Sequence, residues 1–254
     1  THATPIEGRA GEAMRATLLE IANTPDIDTL CNYQTAGAIP RHIEAGRVWL
    51  RSLGVEADAE RIAIVNGAQH GIMGALMTAA RSVDVVLAEQ VSYPGFLNLA
   101  RSFGYRIESV GMDEGGIRPD SLAEACRRTG AKVLYLTPSV QNPTTITLSE
   151  NRRRQIVEVA RQHGLTIIED DVWGALIENR QTPLAALAPE RVFFVTSLSK
   201  CMAGGLRIGY VAAPEALGFR LKTMIRMTAW TTPPLTAEVA ARWLTDGTGA
   251  ELTS

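Results

Sequence analysis

From Gly54 onward the sequence alternates short apolar runs with helical patterns, and few folds accommodate that rhythm. "RIAIV" (61–65) precedes a helical pattern at 69–80, "DVVLAE" (84–89) one at 95–103, and "YRIESV" (105–110) one at 120–128. "KVLYL" (132–136) precedes a helical pattern at 149–163, after which come "LTIIED" (165–170), "RVFFVT" (191–196) and "RIGYVAA" (207–213). Strands alternating with helices of this length form βαβ units, in which a mostly parallel sheet is covered on both faces. The expected fold class is therefore α/β: an αβα sandwich around a mostly parallel sheet of about seven strands. Residues 12–22 and 41–53 read as amphipathic helices preceding the sheet. Gly54, Gly104 and Gly164 fall where helices should end, and "DEGG" (113–116) reads as a turn.

At 254 residues the chain is long enough to bury a core as one large domain, with residues 1–53 as a helical N-terminal arm. A net charge of −2 argues against the chain itself being a nucleic-acid surface. Cys31, Cys126 and Cys201 are widely spaced and form no CxxC pair, so neither a disulfide framework nor a zinc site is expected, and the cytoplasm is the expected compartment. No apolar run reaches the roughly 18–20 residues of a membrane span.

In sheets of this kind ligands bind at the carboxyl ends of the strands. The segments to inspect there are "NGAQ" (66–69), "QVSYP" (90–94), "TPSVQNPTT" (137–145), "EDDVW" (169–173) and "SLSK" (197–200). Any one of them could be turn chemistry alone; five on one edge ask for a common cause. Lys200 adds to this. Lysine occurs at only three positions, Lys132, Lys200 and Lys222, while arginine is abundant. An amine can lose its proton and attack a carbonyl, which a guanidinium cannot.

Together, "SLSK" followed by "GLRIGY", with "QNPTT" and "EDDVW" upstream, resemble the large domain of pyridoxal-phosphate enzymes of the aminotransferase class I/II family. The resemblance runs from about Tyr33 to the end. It implies pyridoxal 5'-phosphate as cofactor, with Lys200 as its Schiff-base partner and proton shuttle. It further implies Asp170 as the carboxylate on the pyridine nitrogen, with Asp171 one register slip away, and Asn142 as a hydrogen-bond donor to the ring oxygen. Tyr93 would stack on the ring. The phosphate would be held by the backbone of Ala68 and Gln69, by Ser197 and Ser199, and by Arg207. Tyr33, and Thr231 or Thr232, would reach the phosphate of a neighbouring subunit, which implies a homodimer. The peptide bond before Pro143 is expected to be cis.

Two departures stand out. Trp173 occupies the place of a tyrosine that touches the ring oxygen in the family; indole is a donor only, so efficient transamination is in doubt. The C-terminal small domain, with its carboxylate-gripping arginine, is expected to lie outside these residues.

A closer resemblance is carried by "TSLSKCMAGGLRIGYVAAPEAL" and "MIRMTAWTTPPLTAEVAARWLTDGT", which look like the aminotransferase-like domain of MocR-type regulators of the GntR superfamily. That implies an effector-binding and dimerising domain taking a small amino acid or amine. DNA would be reached only through a winged helix outside this chain. The alternatives are part of a freestanding aminotransferase, or an αβα domain that binds another phosphorylated ligand or serves as a dimerisation scaffold.

Overall fold

A computed structural model describes residues 8–34, 38–81 and 83–253. The strands are β1 (Ile62–Val65), β2 (Val85–Glu89) and β3 (Arg106–Val110), a hairpin of β4 (Met112–Asp113) and β5 (Gly116–Ile117) where only a turn was expected, then β6 (Val133–Leu136), β7 (Thr166–Asp170), β8 (Val192–Ser197) and β9 (Gly209–Ala212). Seven of them form one sheet in the order β1-β9-β8-β7-β6-β2-β3. Every neighbouring pair from β8 to β3 is parallel, while β9 runs antiparallel to both β8 and β1. The "DEGG" turn closes the β4–β5 hairpin. The fold class is that read from the sequence.

The helices are α1 (Arg9–Ala22), α2 (Asp28–Cys31), α3 (Pro40–Ser52), α4 (Ala68–Ala79), α5 (Pro94–Ser102), α6 (Pro119–Thr129), α7 (Glu150–His163), α8 (Leu184–Leu187), α9 (Gly218–Ala229), α10 (Pro234–Thr245) and α11 (Thr248–Thr253). Alternate residues of each strand point to opposite faces, and this divides the core in two. Leu87, Leu134, Ile167 and Phe194 pack against Trp49 and Leu50 of α3, Ile156 of α7 and Trp243 of α10. Val86, Tyr135, Ile168 and Val195 pack against Ile72 and Leu76 of α4, Phe96 of α5 and Leu221 of α9. α7 shows why its boundaries were readable: the Ser149 hydroxyl accepts the N–H of Arg152, and Gly164 ends the helix in the left-handed conformation.

Two differences from the sequence reading have physical causes. The last strand begins at Gly209 rather than 207, because Arg207 adopts φ 52, ψ 37, a left-handed conformation that cannot extend a ladder. Helices α9, α10 and α11 had no counterpart in the reading. They follow the last strand, where no strand–helix alternation announces them, and α10 takes its place by packing on α3. Among the described residues no helix is long and apolar enough to cross a membrane.

Candidate functional site

The carboxyl ends of β2, β6, β7 and β8 bring several of the expected residues to one edge. Asp170 ends β7, on the same face as Ile168, and is 3% exposed. Its Oδ2 accepts the Tyr135 hydroxyl at 2.7 Å from neighbouring β6. Its Oδ1 is buried and meets no hydrogen-bond partner among the described residues. Burial pushes the Asp170 carboxyl up to about 6, opposed by the Tyr135 hydrogen bond and reinforced by the Asp171 charge. Asp171 turns elsewhere: its Oδ2 receives Arg180 Nη2 at 2.9 Å.

Tyr93 stands at the N-cap of α5, half-buried, with its ring beside Gly95. Burial and then the Asp170 charge push its phenol up, and Arg207 pulls it down. Tyr93 is thus within electrostatic reach of both a residue after β8 and one at the end of β7. Gln69 ties α4 to the same place, its Nε2 donating to the Gly95 carbonyl at 3.0 Å.

α4 begins at Ala68 behind Gly67, with no side-chain cap, so its first turn presents backbone N–H groups. Gly67 lies at φ 79, and a Cβ there would stand 2.6 Å from Arg207 Nη2; the guanidinium therefore lies directly over the helix N-terminus. Arg207 Nη1 reaches the Ser199 hydroxyl at 3.4 Å. Ser197, buried at the end of β8, pairs across the sheet with Gly209. A helix N-terminus, an arginine and hydroxyls in one spot form a cradle suited to an anion.

Lys200 follows in the turn after β8, half-buried, its Nζ 5.0 Å from the centroid of the Trp173 ring. The face of an indole attracts a cation. Asn142 lies half-buried in the loop after β6, and the Asn142–Pro143 bond is cis as expected.

Tyr33 is not part of this cluster in its own chain. It is 82% exposed and meets Trp230 edge-on at 6.5 Å, with the Arg226 guanidinium 4.4 Å from the same indole. Thr232 donates to the Ile64 carbonyl at 3.2 Å. Residues 35–37 of "NYQTAG" lie outside the described residues.

Sequence reasoning missed Tyr135, Glu89 and Gln141, all buried beside the cluster. The signal for Glu89 was available: a carboxylate that ends an apolar strand needs partners inside the protein.

The sequence matches the aminotransferase class I and II family over residues 12–252. The chain belongs to that family. Within it, similarity runs to both regulators and enzymes. The uncharacterized HTH-type transcriptional regulator YdeF of Bacillus subtilis is 29% identical over 231 residues, covering 91% of this chain and 50% of YdeF. The aminotransferase swnA of Metarhizium robertsii is 39% identical over 145 residues, 51% of this chain and 29% of swnA. Among solved structures, the alpha-aminoadipate aminotransferase LysN of Thermus thermophilus superposes with TM-score 0.85 at 26% identity, over 98% of this chain and 64% of LysN. The chain thus spans half or less of the length of these two curated relatives.

Proposed function

We propose that this domain binds pyridoxal 5'-phosphate together with a small amino acid or amine, and serves as the effector-binding and dimerising part of a MocR-type regulator. The LysN structure is of a complex with N-(5'-phosphopyridoxyl)-L-leucine, and the residues present here suit the cofactor half of such a molecule. The observation that carries the reading is Asp170 Oδ1, a buried acceptor with no partner among the described residues, which calls for a donor such as a protonated ring nitrogen.

When bound, the cofactor supplies an aldehyde that takes up an amine and a ring that withdraws electrons from it. In this proposal the protein groups take the following roles. Tyr135 fixes the Asp170 carboxylate through Oδ2 and leaves Oδ1 to face the ring nitrogen. Arg207, Ser197, Ser199 and the N–H groups of Ala68 and Gln69 neutralise the phosphate. Tyr93 covers the ring and keeps water from it, and Asn142 donates to the ring oxygen. Lys200 would hold the aldehyde end and carry protons there, with its Nζ 5.0 Å from the centroid of the Trp173 ring. Tyr33, exposed and braced by Trp230, is placed to cross to a second copy of the chain. DNA contact belongs to a domain outside these residues, and we assign the protein to the cytoplasm.

The identity to swnA supports a second reading, that the chain is part of a freestanding aminotransferase. In that case the same site turns over amino acids.

The test is absorbance. Pyridoxal phosphate added to the protein should give a yellow band that borohydride fixes to one lysine, Lys200, and that Lys200→Ala abolishes. Attachment at Lys132 or Lys222 would refute the assignment, and absence of a saturable band would favour a different phosphorylated ligand.

A further inference from the structure

The loop between β6 and α7 that carries Asn142 has no regular structure from 137 to 149, and Val140 and Thr145 both adopt positive φ. One buried side chain organises it. Gln141 Oε1 accepts both the N–H and the hydroxyl of Thr144, at 2.9 and 2.7 Å. Its Nε2 donates to the Val91 carbonyl at 2.6 Å and to Glu89 Oε2 at 3.4 Å. The Gln141 backbone is bound on both sides, its N–H to Ile146 O and its carbonyl to Thr145 N–H. Two donors meet the amide oxygen and two acceptors meet the amide nitrogen, so a flipped amide would lose the Thr144 N–H and both Nε2 contacts. Glu89 Oε2 also accepts the Thr137 N–H at 3.1 Å, where the loop begins. Burial pushes the Glu89 carboxyl up to about 7. Its Oε1 has no partner among the described residues, so a proton taken up there leaves Oε2 accepting.

We propose that Glu89 and Gln141 form a latch between the end of β2 and the 137–146 loop that aims Asn142 at the cofactor. The latch rests on the reading of Asn142 as donor to the cofactor's ring oxygen. Neither latch residue touches the cofactor; both are positioning residues. Gln141 is the covalent neighbour of Asn142, so any turn of its backbone swings the Asn142 side chain off its target.

The experiment scans the visible band of the pyridoxal-phosphate-loaded protein against pH. An N–H donor favours the form in which the ring oxygen holds its full negative charge, so its loss moves the colour change to higher pH. Asn142→Ala should shift the midpoint upward. Glu89→Leu keeps the bulk but removes the acceptor that Gln141 Nε2 and the Thr137 N–H share, and should shift it the same way. The double variant should shift no further than Asn142→Ala alone. Should Glu89→Leu fail to fold, Gln141→Leu breaks the latch from its other end with the same expectation. An unmoved midpoint in Glu89→Leu overturns the latch. So does a double variant whose shift is the sum of the two, because Glu89 would then act through its charge alone. A wild-type protein with no band would instead remove the cofactor reading beneath the latch and overturn both, while an Asn142→Ala midpoint equal to wild type would overturn the latch by removing the Asn142 role alone.

Discussion

The Arg207 guanidinium covers Gly67 so closely that a β-carbon on that glycine would stand 2.6 Å from Nη2. Gly67 is also at φ 79, ψ 168, a region used almost only by glycine, where an L side chain is strained by about 1–3 kcal/mol. Gly67→Ala should therefore do two things at once: lower stability by about that amount and push the guanidinium off the α4 N-terminus. Loss of a charge-assisted contact to phosphate should weaken pyridoxal-phosphate binding by roughly 10–100-fold. Titration of the visible band gives the affinity. Undiminished affinity in Gly67→Ala would show that Arg207 does not need this position.

Asp170 gives the stability a pH dependence. Its folded pKa, about 6, lies above the ordinary carboxylate value, so folding draws a proton onto it. That contribution is complete below about pH 4, where the unfolded carboxyl is also protonated, and is lost as pH rises through about 6. Asn cannot ionise. Relative to wild type, cofactor-free Asp170→Asn should gain on the order of 2–3 kcal/mol between about pH 4 and pH 8. Urea unfolding at both ends of the range measures this, and a difference that does not change with pH would contradict it. The same variant should bind pyridoxal phosphate yet lose proton abstraction from a bound amino acid, because the charge that holds the ring-nitrogen proton is gone.

Arg153 is a structural test on the other face of the sheet. It is fully buried, 3.5 Å from Glu169, and donates to Leu148 O, Pro138 O and the Ser139 hydroxyl. Arg153→Ala leaves a buried carboxylate facing a hole and should cost about 3–5 kcal/mol, read by urea denaturation. Arg153→Lys should recover little, since one ammonium cannot reach acceptors spread across a guanidinium fork.

Tyr33→Phe tests the shared site. Sedimentation should show a dimer for both proteins, with pyridoxal phosphate bound more weakly by the variant. A monomer that binds the cofactor as tightly as the parent would leave Tyr33 as a surface aromatic held only by Trp230.

How much was legible in the sequence depended on the range of the interaction. Strands such as β1, β6 and β8 announced themselves as largely apolar runs buried on both faces, and α7 because its cap and its terminal glycine are local. α9 to α11 were not legible, since what places them is a partner far away in sequence: α10 rests on α3. The candidate site divides the same way. Lys200, Asn142 and Arg207 stand in motifs that can be matched. Tyr135 on Asp170 and Gln141 on Glu89 depend on which strands become neighbours, and nothing within "KVLYL" or "DVVLAE" reports that β6 lies between β2 and β7.

The antiparallel strand β9 has a kinetic consequence. Because it returns antiparallel beside β8, with Ser197 opposite Gly209, Lys200 and Arg207 sit on the one connection, residues 198–208, between the two strands. The two groups assigned to opposite ends of the cofactor are tethered to each other at high effective concentration. In the proposed site, Arg207 would keep the cofactor's phosphate within reach of Lys200 while the lysine is free of it. Recapture would then be intramolecular, in competition only with release of the phosphate.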